Sequence, residues 1–310
     1  MGRFAAVLVH HSRWFLAGSV FAGLALPDLA AALRPLLPPA VAVLLVLSML
    51  RMDWTAVLAY GRRPGRVGLV LAWVLIGAPA AVALVVAALP ISPGLQAAVI
   101  LMAASAPIMS SPALAVLLGL DASLALVVVV GSTLLMPLTA PWAADLLAHL
   151  PLDIPTWELM ARLAGLVAGS VGAALVLRRL LGRARLVALG PGIDAASVVF
   201  LVLFAIAIMD GVTAELLTNP ARTLLIILGS FAANLGLQAV GAALFWRTGR
   251  QAALTVGLVS GNCNMALLLA VLPAGVDADV PLYFALGQFP IYILPALLTP
   301  LYRRLRPAPP

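Results

Sequence analysis

The chain has 310 residues, 64% of them hydrophobic and 9% charged, with a mean hydropathy of +1.15. That apolar share lies well above the roughly 45–50% of a soluble domain and excludes water as the main solvent. All 18 cationic side chains are Arg, which excludes a retinal pump, because that chemistry needs a Schiff-base Lys. The net charge of +7 is spread in short clusters between apolar runs, a topology signal and not a nucleic-acid surface.

A hydrocarbon core about 30 Å thick takes roughly 20 apolar residues per helical crossing, so the chain has room for about ten spans and reads as an all-α integral membrane protein. The first apolar run, Trp14 to Leu26, follows Arg3 and Arg13 and has the outline of a signal peptide. Nine further apolar segments come after it, so it is read as a retained first helix. Hydropathy and punctuation place the spans near 13–32, 34–52, 66–90, 94–118, 122–148, 157–180, 192–216, 220–246, 251–273 and 281–303. The breakers that set these limits include Pro27, Pro38-Pro39, Pro64-Gly65, Gly119, Pro151 to Pro155, Gly190 to Gly192, Pro220 and Gly249. The single cysteine, Cys263, permits no intramolecular disulfide.

Arginine placement sets the orientation. With the N-terminus inside, the inner segments hold Arg3, Arg13, Arg51, Arg62, Arg63, Arg66, Arg178, Arg179, Arg183, Arg185, Arg247, Arg250, Arg303, Arg304 and Arg306, which is 15 of the 18. The outer segments keep Arg34, Arg162 and Arg222 and collect Asp28, Asp145, Asp153, Glu158, Asp210, Glu215, Asp277 and Asp279. The expectation is a multi-pass protein of a bacterial inner membrane with both termini cytoplasmic, a monomer or a homodimer. Residues 1–148 then form one five-span repeat, 149–156 an outer-face connection, and 157–310 a second repeat of opposite orientation.

Inverted repeats place a solute site near the midplane, where one helix of each half is broken. Spans four and nine, equivalent in the two halves, should both be interrupted. Span four carries Ser105-Ala-Pro107-Ile-Met-Ser110-Ser111-Pro112, whose prolines each remove an amide and clash with a carbonyl one turn back. Span nine carries Ser260-Gly-Asn262-Cys-Asn264, a polar knot in an apolar helix. Hydroxyls in membrane spans commonly pack or bond the preceding turn. Two Asn amides at depth need partners. The candidate solute-binding residues are therefore Ser110, Ser111, Ser260, Asn262 and Asn264, with Thr133 added from the polar motif of span five. Proton coupling would need an acid or His at depth, but His10, His11 and His149 lie near span ends, and Asp121 reads as the N-cap of span five.

The run Ser260-Gly-Asn-Cys-Asn-Met-Ala-Leu-Leu-Leu-Ala-Val-Leu-Pro273 resembles the ninth-span signature of the bile acid:sodium symporter family. Gly119-Leu-Asp121 and Gly131-Ser-Thr-Leu-Leu-Met-Pro-Leu-Thr-Ala-Pro141 resemble its fourth and fifth spans. The resemblance implies a panel domain of spans one, two, six and seven and a core domain of spans three to five and eight to ten. It also implies that discontinuous helices four and nine cross at their breaks, and that the substrates are organic anions such as bile acids, sterol sulfates or short carboxylates. Of the family's ion-binding positions, Ser111 and Asn264 are kept, whereas its ninth-span Glu and Gln fall at Val259 and Cys263. Its fourth-span Asn falls at Pro112, and two fifth-span hydroxyls fall at Ala125 and Val129. A hard cation takes oxygen ligands, and most of these side chains offer none.

The expectation is a secondary transporter of a small organic anion, not an enzyme, with no resident cofactor and only Na⁺ or H⁺ as conceivable coupling ions, the sodium sites being degenerate. A related ten-span efflux carrier of the auxin-efflux or arsenite-exporter type, or a membrane receptor, is the alternative. An arsenite site would favour a thiolate, for which Cys263 is the one candidate.

Overall fold

A computed structural model of the chain describes residues 12–52, 54, 55, 57, 64–273 and 275–305. Arg3, His10, His11, Arg62, Arg63, Arg306 and the side chain of Arg13 lie outside the described residues. Most of those described are helical, with no strand among them. Among the described residues, six stretches are long and apolar enough to cross a membrane: Pro27–Arg51, Gly65–Val86, Ala122–Leu147, Thr156–Thr218, Pro220–Leu244 and Asp279–Leu305.

In chain order the helices are α1 (Ser12–Ala25), α2 (Pro27–Leu33), α3 (Leu37–Arg51), α4 (Pro64–Ala72), α5 (Ala78–Val86), α6 (Pro93–Ala104), α7 (Ser111–Leu118) and α8 (Ala122–Trp142). They continue with α9 (Thr156–Ala207), α10 (Val212–Thr218), α11 (Pro220–Leu244), α12 (Arg250–Gly261), α13 (Ala266–Leu269), α14 (Asp279–Leu286) and α15 (Gln288–Leu305). A π-helical turn, Trp73–Gly77, joins α4 to α5, and another, Ala143–Leu147, extends α8.

Two expected boundaries are corrected. The first helix ends at Ala25 rather than near residue 32, because Leu26 leaves the helical region (φ −125°, ψ 68°) ahead of Pro27, which starts α2. The expected loop at Gly190 to Gly192 is helical, and the chain bends instead at Gly182 (φ 71°, ψ 162°), a conformation natural to glycine. Gly190 makes room for a side chain. A Cβ there would lie 2.7 Å from Arg51 Nη1, so the glycine admits the Arg51 guanidinium, which pairs with Asp194 at 2.8 Å.

Contacts divide the chain into two units. The first comprises the described residues up to Met52, with Ala161–Thr223 and Leu269–Val271. In it α1 lies close against the end of α9, since a Cβ on Gly23 would meet Ile206 O at 2.8 Å, and Thr213 Oγ1 donates to Leu24 O at 2.7 Å. Arg34 pairs with Asp210 at 2.9 Å and Arg222 with Glu215 at 2.6 Å, so these acids are ion-paired.

The second unit comprises the described residues from Asp53 to Met160, Leu224–Leu268 and those from Leu272 on. Its apolar core gathers Val70, Val74, Leu118, Leu124, Val128, Leu258 and Val259. Gly119, at φ 70°, ends α7, and Leu120 N returns to Ala115 O at 2.8 Å. Asp121 then caps α8, accepting from Leu124 N at 2.9 Å, while its own amide donates to Thr255 Oγ1 at 3.0 Å. Ser92 caps α6 and also donates to the Asp279 carboxylate, tying the starts of α6 and α14 together.

Candidate functional site

Both interruptions expected from sequence are present, and they meet. α6 stops at Ala104, Ser105 turns extended (φ −76°, ψ 145°), and α7 begins at Ser111. α12 stops at Gly261, and Asn262 leaves the helix (φ −89°, ψ 75°). Pro107 pairs antiparallel with Cys263. Ile108 N donates to Asn262 O at 2.8 Å, and Asn264 N donates to Ala106 O at 2.7 Å. Backbone groups freed by one break are thus satisfied by the other, as a water-poor setting demands. The remaining amide of this stretch, Ala106 N, donates to Met136 Sδ of α8 at 3.3 Å.

The side chains at the pairing differ in what they have left to offer. Ser110 is exposed and Asn264 half-buried. Ser111 and Asn262 are fully buried, and Ser111 Oγ and Asn262 Oδ1 are the side-chain oxygens there without a hydrogen-bond partner. The Asn262 amide nitrogen is used, donating to Leu258 O at 2.9 Å. Asn264 Oδ1 accepts from Ala266 N at 3.3 Å. An orphaned buried polar atom costs about 1–3 kcal/mol, and two of them lie where the two breaks meet.

Two candidate residues are occupied locally. Ser260 Oγ donates to Val256 O at 2.7 Å and accepts from Trp73 Nε1 at 2.9 Å. Thr133 Oγ1 donates to Val129 O at 2.7 Å, one turn back along α8. Helix termini contribute less than a broken span suggests. α13 has four residues, too few for aligned peptide dipoles. At the start of α7, Ser111 N is bonded to Ile108 O at 3.0 Å and Pro112 has no amide.

Neighbours that the sequence reading passed over support the second break. Asn234 and Gln238, one turn apart on α11, and Tyr302 on α15 are buried and joined: Tyr302 Oη donates to Gln238 Oε1 at 2.6 Å, and Gln238 Nε2 donates to Asn234 Oδ1 at 2.6 Å. A Cβ on Gly261 would lie 2.4 Å from Asn234 O, and one on Gly257 2.5 Å from Gln238 O, so α11 and α12 touch along their backbones. Two amide side chains at i, i+4 in an apolar span were the available signal, since such groups find partners or mark a site.

Four of the positions that the resemblance assigns to ion binding, Val259, Ala125, Val129 and Cys263, are buried. Val259 and Ala125 are buried in one apolar cluster with Leu124, Val128 and Leu258. Val129 is buried as well, and Cys263 turns its thiol to Ser260 O at 3.4 Å. None of these four side chains offers an oxygen to a hard cation.

The helices and their apolar lengths define a multi-pass membrane protein. The sodium bile acid symporter family matches the chain over residues 38–220, more than half its length. The chain belongs to that family and is by class a membrane transporter of the bile acid/sodium symporter type. No curated protein matches it. The matched stretch contains the first break and ends before the second.

Proposed function

We propose that the protein carries a small organic anion across a bacterial inner membrane by alternating access, through ten spans in two inverted repeats, and that it does so without sodium. The observation that carries this reading is the antiparallel meeting of Ala106–Ile108 with Asn262–Asn264, beside two orphaned oxygens. Irregular backbone at membrane depth is tolerated where protein buries it or where it lines a cavity.

The two contact units support a division into moving bodies. One gathers most of the segments expected of spans one, two, six and seven, with Leu269–Val271 of span nine, and the other gathers the rest. Cytoplasmic termini rest on the arginine distribution. Sodium independence rests on the apolar surroundings of Val259 and Ala125.

The free groups constrain the solute. The Ser111 hydroxyl can donate to an anionic oxygen, whereas Asn262 Oδ1 can only accept. A solute with both an anionic group and an O–H or N–H suits this pair better than a bare inorganic anion. Uptake of taurocholate, a steroid sulfate and lactate into proteoliposomes tests the reading. At least one should enter, and Ser111→Ala and Asn262→Ala should each slow it about tenfold. Entry of none, or variants as fast as the parent, counts against it.

A further inference from the structure

Trp73 opens the π-helical turn Trp73–Gly77, and such turns recur at functional sites. Its ring lies over Gly77, where a Cβ would come within 2.6 Å of Cε3. The indole packs against the core cluster that holds Leu258 and Val259, and its N–H reaches Ser260 Oγ at 2.9 Å. On its other side Ser260 faces Gly241, whose absent Cβ would sit 2.6 Å from the hydroxyl oxygen. Two glycines therefore clear the space in which this one hydrogen bond forms. Ser260 has no further proton to give, because its own goes to Val256 O.

Ser260 is the last residue but one of α12, one before Gly261, where the helix ends, and two before Asn262. Whatever fixes Ser260 fixes the direction in which the chain leaves the helix, and with it the register of Asn262–Asn264 against Ala106–Ile108. We infer that Trp73 is a positioning residue: its indole N–H, held on Ser260 Oγ, keeps the second break in the register that pairs with the first, with no bound cation needed to set it. Ser260 thereby acts as a brace for the site and not as a solute ligand. This role rests on the reading of the two breaks as the transport site, but it can be tested without any solute.

Cys263, the chain's one cysteine, is buried at the pairing and reports on it directly. The experiment follows the rate of N-ethylmaleimide labelling of Cys263 in purified full-length protein, in sodium chloride and in choline chloride, with the unfolding midpoint measured alongside. Trp73→Phe keeps the ring and removes the donor, and Ser260→Ala removes one oxygen. Each should raise the labelling rate about tenfold through local opening, the double variant should be no faster than either single one, and sodium should change none of the rates. Where Trp73→Phe lowers the unfolding midpoint, Ser260→Ala carries the test.

Unchanged labelling in Ser260→Ala, rate increases that multiply in the double variant, or protection that requires sodium would each overturn the inference. Uptake plays no part in the labelling, so a transporter that moves none of the tested anions but labels as expected contradicts the proposed function alone.

Discussion

Pro107 lies opposite Cys263 in the pairing of the two breaks, flanked by the bonds Ile108 N to Asn262 O and Asn264 N to Ala106 O. In an antiparallel pair, the position between two such bonds needs no amide of its own. A proline is therefore free of penalty there and restricts the unfolded chain. Pro107→Ala adds a buried N–H without a partner and loosens the unfolded state, so it should lower stability by about 1–3 kcal/mol. Unfolding of the purified variant in detergent checks this.

Ser111 should behave in the opposite way. Its hydroxyl is buried and unpartnered, so Ser111→Ala removes an unsatisfied group and should leave stability unchanged or raise it by about 1 kcal/mol. Uptake should fall in the same variant. Thermal unfolding and transport measured on one preparation would show the two moving apart, as expected of a group kept for function.

Tyr302 and Gln238 are coupled through a 2.6 Å hydrogen bond in a buried network with Asn234. Tyr302→Phe leaves Gln238 Oε1 without its donor and should cost about 1–3 kcal/mol. Combined with Gln238→Leu, the loss should be smaller than the sum of the two singles by about 0.5–3 kcal/mol. A double-mutant cycle in unfolding free energy reads this directly.

Gly261 meets the backbone of Asn234, where a Cβ would approach within 2.4 Å of the carbonyl oxygen. Gly261→Ala must push α11 and α12 apart and should destabilise by about 1–3 kcal/mol. Gly165, with nothing within 4 Å of its Cβ position, is the control. Gly165→Ala should leave the unfolding midpoint unchanged or raise it, because alanine is the better helix former.

Much of this molecule was legible in the sequence. Hydropathy announced an apolar, helical chain able to cross a membrane, and Pro107, Pro112 and the Ser260–Asn264 knot announced where two of its helices stop. Asp121 was readable as a cap because it follows Gly119 and precedes an apolar run. Gly190-Pro191-Gly192 misled for a physical reason. Gly190 leaves space that the Arg51 guanidinium uses, so it serves packing within a helix and not a turn. Ser260 illustrates a second limit. Its residue type suggested a ligand, whereas its hydroxyl donates one turn back to Val256 and accepts from Trp73, 187 positions away, a matter of tertiary packing that no local pattern carries.

The absence of sodium ligands at Val259 and Ala125 was legible from the resemblance, but the partners of Ser111 and Asn262 were not. Both side chains could have found a donor or acceptor on a neighbouring helix. That neither oxygen has one emerges only once the surrounding helices are in place.

Transport without sodium is decided by initial uptake of the best-transported anion, among taurocholate, a steroid sulfate and lactate, into proteoliposomes in sodium gluconate and in choline gluconate. The rates are expected to agree within about twofold, because Val259, Cys263, Ala125 and Val129 offer no side-chain oxygen to a hard cation. A rate about tenfold or more lower in choline would refute sodium independence, since it would require a sodium site that Val259, Cys263, Ala125 and Val129 cannot build from their side chains.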